Sequence, residues 1–363
     1  MKKKCAYVLA VSQNIVFAAG NVALELNKYM QNEEFDIIIY HNGLQENDVI
    51  ALNKIPNVHL EEICFPQGFE EYMLKNLPQG RWNNKNSLLM FSHYQIFNLL
   101  DKYSTAIWLD VDISIQASIT ELSSYGPLGM SFDYNYQSIF SVQQNFLKPI
   151  LGYDMNAQGR ISAVLVATDK LKNAKEIYNW CFDKSKEYAQ YLYNPDQGII
   201  NLAIQQFKIP VKNIPFNIFV DFATMEDAHI AKIAHFGTEK KVWNNNELYQ
   251  SFPQWHRTHL EYVSLGGSDI TKELNNTNVY VTLEKLVQQN NAYKNILQKN
   301  GISEDINKIK LKYYFLGIKV IEIQKSFKMI KFKLLGITFY KKKWKNNKVK
   351  YYICGIPMVK YVY

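Results

Sequence analysis

The feature that most constrains this chain is a repeated alternation, over residues 5 to 245, of short apolar runs with stretches of helical period. Cys5–Val11 (CAYVLAV) is uncharged and has the length of a buried strand. A helical pattern follows through Ala18–Tyr29, and a second apolar run, Phe35–Tyr40, ends at the turn-forming His41-Asn42-Gly43. Strand, helix, strand with short connections builds a mostly parallel sheet with helices on its faces, so the expected class is α/β. Leu88–Leu100 has helical period and leads into the strand Ala106–Leu109; further strands are expected at Gly126–Asp133, Ile161–Ala167, Asn213–Phe219 and Ile230–His235. Helices are expected at Leu171–Tyr188, after the turn Asn194-Pro195-Asp196 at Gln197–Phe207, and at Glu284–Lys299.

Composition excludes several alternatives. With 363 residues, 47% of them hydrophobic and 20% charged, the chain has enough apolar surface for a sizeable core, which rules out wholesale disorder, collagen and a disulfide scaffold. Cys5, Cys64, Cys181 and Cys354 form no CxxC pair and no zinc spacing, which fits free thiols in a reducing compartment and hence a cytoplasmic protein. The N-terminus imitates a secretion signal, but Ser12-Gln13-Asn14 interrupts its apolar stretch. No run of 18 apolar residues is present, so no spanning helix is expected.

Charge is unevenly distributed. Residues 301 to 363 hold 15 lysines against Glu304, Asp305 and Glu322, a net +12, which leaves −4 for residues 1 to 300 of a chain whose total is +8. The same tail carries a repeat: Gly317, Gly336 and Gly355 are 19 residues apart and each precedes isoleucine, in FLGIKV, LLGITF and ICGIPM. Short alternating stretches rich in aromatics and lysines read as small strands or an amphipathic appendage, suited to an anionic headgroup layer. Lysine almost without arginine offers little base readout, so no nucleic-acid partner is expected. The expected organisation is an α/β domain over 1–255, a helical connector over 256–300 and a basic aromatic tail of three 19-residue units over 301–363.

Chemistry concentrates at a few polar residues set among apolar ones. Asp110-Val111-Asp112 follows the apolar Ala106-Ile107-Trp108-Leu109, and residues two apart in an extended segment point the same way, so both carboxylates can address one cation. Paired hard oxygen donors at the carboxyl end of an α/β sheet suit Mn²⁺ or Mg²⁺. His235 follows another apolar strand and can complete an oxygen and nitrogen shell, with Lys241 six residues on to meet an anionic diphosphate. In PDQGIIN (195–201), Asp196 and Gln197 stand where a helix begins, and simple helix capping by Asp196 is the competing expectation.

Taken in order, four blocks resemble the bacterial branch of glycosyltransferase family 8, retaining enzymes with the GT-A fold. They are the first strand with Asn14, FSHYQIFNLLDKYSTAIWLDVDI, PDQGIIN and HFGTEKKVW, covering roughly residues 5 to 245. The resemblance implies a Rossmann-like mixed sheet with helices on both faces, and a hexosyltransferase that moves galactose or glucose from a UDP-sugar to a lipopolysaccharide, lipooligosaccharide or capsule acceptor. It implies Asp110, Asp112 and His235 as ligands of Mn²⁺, with Mg²⁺ the alternative ion. Ala10, Ser12 and Asn14 would meet the nucleoside, Val111 would lie in the donor site between the two aspartates, Asp133 would bind donor-sugar hydroxyls, Asp196 and Gln197 would flank the anomeric carbon, and Lys241 would meet the phosphates. His93 stands where the family has Arg or Lys, Arg160-Ile161-Ser162-Ala163 replaces Asn-(Ala/Ser)-Gly, and Gly198 replaces an acid. A glycan or glycolipid acceptor would place the protein on the inner face of the plasma membrane, held through residues 301–363. The competing reading is a catalytically weak UDP-sugar binder within a surface-glycan assembly complex.

Overall fold

The computed structural model describes residues 2–78, 84–133, 150–192, 194–221, 223, 230–237 and 240–269, and the strands between 308 and 361. The chain forms two compact units, Met1–Asn276 and Thr277–Tyr363.

The first unit opens as its sequence dictates: β1 (Lys3–Val11), α1 (Val16–Tyr29), β2 (Asp36–His41), α2 (Glu46–Asn53), β3 (Val58–Glu62) and α3 (Phe69–Asn76). There follow α4 (Gln95–Leu99), β4 (Tyr103–Leu109), β5 (Ile113–Ile115), β6 (Leu128–Phe132), β7 (Arg160–Thr168) and α5 (Ala174–Tyr188). The last elements are α6 (Pro195–Gln206), β8 (Val211–Asn213), β9 (Phe219–Val220), β10 (Ile233–His235), α7 (Asn246–Ser251) and α8 (Pro253–Ser264). The main sheet has the order β3-β2-β1-β4-β7-β6-β8. β1, β2, β3 and β4 run parallel, β7 runs against β4 and β6, and β8 runs with β6. A small sheet, β5-β10-β9, lies beside the DxD segment.

Alternation along the central strands divides the core in two. Tyr7, Leu9, Ile107, Leu109, Val164 and Val166 face the layer of α1 and α8, whereas Ala6, Val8, Ala106, Trp108, Leu165 and Ala167 face that of α3, α5 and α6. A strand buried on both faces must be apolar at every position, which is why β1, β2 and β4 read as continuous hydrophobic runs. The expected mixed α/β sheet with helices on both faces is the one that forms.

Three local expectations differ. Leu88–Leu100 is not one helix: Ser87–Tyr94 winds as 3₁₀ before α4 begins. Within it Leu88, Leu89, Phe91, Ser92, His93 and Tyr94 are all buried, so no single apolar stripe selects the 3.6-residue period. The strand expected over Asn213–Phe219 is interrupted by Pro215, which has no N–H for a ladder and whose carbonyl instead accepts from Ile218 N and Phe219 N. Residue 255 falls inside α8, whose Trp255, His259 and Tyr262 are buried against α1: Phe17 meets Trp255 and His259 edge-on, and a Cβ added at Gly20 would lie 2.3 Å from the Tyr262 ring. The helical run expected at Glu284–Lys299 lies outside the described residues.

The second unit is an antiparallel meander of β11 (Lys308–Phe315), β12 (Ile318–Ser326), β13 (Met329–Leu334), β14 (Ile337–Lys345), β15 (Lys348–Ile353) and β16 (Ile356–Tyr361). Of the two forms expected for the tail, the strand form is the one adopted. Ile318, Ile337 and Ile356 open β12, β14 and β16, and lysines meet as backbone register partners at Lys331↔Lys341 and Lys343↔Lys350.

Candidate active site

The carboxyl ends of the parallel strands β1, β4 and β6 open on one edge of the sheet, and because β7 runs the other way its first residues reach that edge too. Open α/β sheets bind ligands there, since the chain leaves the strands and frees side chains from the layers. Ala10 is the penultimate residue of β1 and Ser12 and Asn14 follow it, Asp110–Asp112 follows β4, Asp133 follows β6, and Asp196 and Gln197 lie in the first turn of α6.

Asp110, Asp112 and His235 come together from two segments far apart in the chain, with one ligand atom from each lying within 4.8 Å of the others. His235 Nε2 is 3.2 Å from Asp112 Oδ1 and 3.7 Å from Asp110 Oδ2. β10 carries His235 into place by pairing His235 with Ile113 of β5, and Phe236 N donates to Asp112 O at 2.9 Å. Donors on opposite sides of a Mn²⁺- or Mg²⁺-sized ion are about 4 Å apart for bonds near 2.1 Å, so this set closes on one ion with small side-chain rotations. Two carboxylates and one imidazole make a hard, mixed oxygen and nitrogen donor set, which fits a divalent ion of that kind.

Two further groups tune the cluster. His235 Nδ1 donates to Asp221 Oδ1 at 2.5 Å, which fixes the ring and leaves Nε2 facing the aspartates. Burial works against the imidazolium, yet Asp112 and Asp221 outweigh it and hold the His235 pKa well above its ordinary value. For Asp112, burial likewise opposes the charged form, but the adjacent His235 and Lys241 cations bring its carboxyl below the usual range. Lys241 Nζ donates to Asp112 Oδ2 and, at 2.6 Å, to Phe236 O.

His93 joins this cluster to the second one. Its buried ring lies between Asp110, 3.3 Å from Nε2, and Asp196, 3.4 Å from Nδ1, and stacks on Trp108 with ring centroids 3.9 Å apart. Nδ1 also lies 2.6 Å from Met90 O. Burial lowers its pKa, but Asp196 and Asp110 prevail and the net direction is upward. Trp108 Nε1 donates to Asp110 Oδ1 at 2.7 Å.

Asp196 is not a helix cap: Asn194 holds the cap position, and the Asp196 carboxylate accepts from Ser162 Oγ at 2.9 Å while facing His93. Burial, assisted by the nearby Asp110 charge, raises its pKa. Gln197 Oε1 accepts from Ser162 N at 3.3 Å. Ser12 Oγ donates to Asn14 Oδ1, and Gln13 turns away, bonding Asp48 Oδ2 at 2.8 Å and Gln45 N at 2.6 Å. Asp133 is buried, with its N donating to Gly159 O at 2.9 Å, and Val111 is buried in the core between the aspartates.

Sequence reasoning did not single out Asp221 or the roles of Trp108 and Ser162. Trp108 and Ser162 had a usable signal, because each stands two residues from another site or strand-end residue and so shares its face. Asp221 had none, since only the pairing of β9 with β10 brings it beside His235.

Comparison with curated protein sequences returns no match. Among solved structures, the chain resembles the galactosyltransferase LgtC in complex with donor and acceptor sugar analogues, at a TM-score of 0.53 and 14% identity over 75% of this chain and 99% of that one. It also resembles the apo structure of the bifunctional glycosyltransferase WbbM, at a TM-score of 0.55 and 14% identity over 73% of this chain; it spans about half of WbbM, 52%. These likenesses establish the shared GT-A fold. The family model for glycosyl transferase family 8 matches residues 6–247, the stretch that holds every residue of the cluster, and the chain belongs to that family.

Proposed function

We propose that this family 8 glycosyltransferase is a retaining hexosyltransferase that moves galactose or glucose from a UDP-sugar to a lipopolysaccharide, lipooligosaccharide or capsule acceptor, with Mn²⁺ as its ion. The observation that carries the reading is the convergence of Asp110, Asp112 and His235 on one another, with Asp110 joined through the His93 ring to Asp196 at the start of the helix that also carries Gln197. In this reading Asp110, Asp112 and His235 would hold Mn²⁺, which would supply Lewis acidity toward the leaving diphosphate. Lys241 adds a fixed cation on the same side once the diphosphate competes for its Asp112 contact. Ala10, Ser12 and Asn14 hold the nucleoside at the end of β1, and Asp133 receives sugar hydroxyls.

Retention requires the acceptor to attack on the face from which UDP departs. Gln197 is an amide and a poor nucleophile, and its Oε1 is already oriented by Ser162 N, so its role is to steady positive charge growing on the sugar ring. Asp196 is held by Ser162 and His93, and it fixes the electrostatic environment of that ring. The acceptor's proton passes to a UDP oxygen as the bond to the sugar breaks.

The +12 tail of residues 301–363 would hold the protein at anionic lipid on the inner face of the membrane, where a glycolipid acceptor is presented. Isothermal titration of UDP-glucose, UDP-galactose and UDP-N-acetyl sugars, with and without Mn²⁺, tests the reading. Mn²⁺-dependent binding that disappears in the Asp110→Ala, Asp112→Ala double variant supports it; equal binding by both proteins refutes it.

A further inference from the structure

Arg160 is one of three arginines in a chain of 41 basic residues, and it opens β7 at the edge where the site lies. Its backbone is fixed on both sides by one side chain: Asn201 Oδ1 accepts from Arg160 N at 3.0 Å and Asn201 Nδ2 donates to Arg160 O at 2.9 Å. Asn201 also donates to Gln197 O at 2.8 Å, so the helix that carries Asp196 and Gln197 sets the position of Arg160 directly.

The direction of the side chain follows from the strand. Arg160 and Ser162 are two residues apart in β7 and share a face, about 7 Å from one another along the strand. Ser162 is the residue that holds Asp196. Phe132 is the register partner of Arg160, and its ring lies 4.3 Å beneath the guanidinium carbon, bracing it from the side.

This guanidinium is half-buried and has no ion pair or hydrogen bond among the described residues; its Nη1 is fully shielded and lacks a partner. Removing a guanidinium from water without a counter-charge is unfavourable, and burial already depresses its proton affinity. A fold that needed only bulk at this position could use an apolar residue. An arginine whose backbone is clamped and whose planar head is stacked, but whose fork has no partner among the described residues, matches the geometry of a carboxylate or phosphate supplied from outside.

We propose that Arg160 is a specificity-determining residue that receives a carboxylate or phosphate carried by one of the sugar substrates. This rests on the proposed function for the identity of the neighbouring site, and an anion on the transferred sugar would make that sugar a uronic acid in place of galactose or glucose. The two sources of the anion are the transferred sugar and the acceptor, and they are told apart by titrating each arm.

The test is calorimetric titration of the full chain, Arg160→Met and Arg160→Lys, with Mn²⁺ present, and with and without UDP for the acceptor probes. The donor arm compares UDP-glucuronate with UDP-glucose. The acceptor arm compares methyl β-glucuronide and glucose 6-phosphate with methyl β-glucoside. The expected result is at least a tenfold preference for the acid probe in one arm, reduced to parity in Arg160→Met and partly kept in Arg160→Lys. The proposal is overturned if the full chain prefers neither acid probe in either arm, or if Arg160→Met keeps the preference. Thermal melting separates a structural role: removal of an unpaired cation leaves the melting temperature of Arg160→Met unchanged or higher, whereas a marked fall assigns Arg160 to packing on Phe132. Failure of UDP itself to bind the full chain would count against the proposed function, while the UDP-free titrations of the acceptor acids still decide the role of Arg160.

Discussion

Glu25 is a fully buried carboxyl in α1, and its protonation contributes a separable part of how stability varies with pH. It accepts from Ile115 N at 2.6 Å and from Ser114 Oγ at 3.1 Å, thereby tying α1 to β5, the strand that follows Asp112. Burial outweighs these bonds and pushes its pKa from 4.5 up to about 8. Below about pH 4.5 the group is protonated in both folded and unfolded chains and costs nothing. As pH rises from there the unfolded chain ionises while the folded one stays neutral, so stability falls steadily and levels off only above about pH 8. At about 1.4 kcal/mol for each tenfold change in proton affinity, the loss is about 3 kcal/mol by pH 7 and on the order of 5 kcal/mol above pH 8. Glu25→Gln keeps an acceptor for Ile115 N and cannot ionise. Urea unfolding of both proteins, followed by tryptophan fluorescence at pH 5, 7 and 8.5, should find them within about 1 kcal/mol at pH 5 and the variant more stable by several kcal/mol at pH 8.5. Parallel stability curves across this range, or a variant that is weaker at pH 8.5, would refute the assignment of a neutral buried carboxyl.

Other predictions address the site and the packing. Asp221→Asn should weaken Mn²⁺ binding about 10- to 100-fold in a direct metal titration while leaving the circular dichroism spectrum intact, because it releases the orientation of His235; unchanged affinity would remove Asp221 from that role. Gly20→Ala places a methyl group into the Tyr262 ring, and the required shift of α8 should cost about 1 to 3 kcal/mol in urea unfolding; an unshifted midpoint would mean that α8 yields freely. Removal of residues 301–363 should release the protein from anionic vesicles in a flotation assay and leave UDP-sugar hydrolysis largely intact. Undiminished vesicle binding by the shortened chain would refute the membrane role of the tail.

Much of the site could be read from the sequence because its members sit where an apolar run ends. Asp110 and Asp112 were legible from period-two geometry after an uncharged strand, His235 from the end of another apolar run, and Asp196 from the turn that opens a helix. The state of those groups was not legible. Lys241 binds Asp112 directly, His93 bridges Asp110 to Asp196, and Asp221 orients His235, and each of these depends on pairings between residues far apart in the chain. Short elements were hardest to read: β5 and β9 have three and two residues and too little pattern to stand out from loop, and of the strand expected over Ile230–His235 only Ile233–His235 forms. Pro215 was a visible warning against a single strand over Asn213–Phe219, since a proline cannot donate within a ladder.

The sequence by itself determined the layered α/β class, the order of strands and helices through the first half of the chain, and the basic repeat of the tail, because hydrophobic periodicity and local turn chemistry act over neighbouring residues. Tertiary structure decided which polar side chains share a space and in what ionisation state. Burial and charge proximity act through space, so a carboxylate and an imidazole acquire their chemistry only when the chain brings β10 beside the segment after β4, and a guanidinium only when α6 fixes the start of β7.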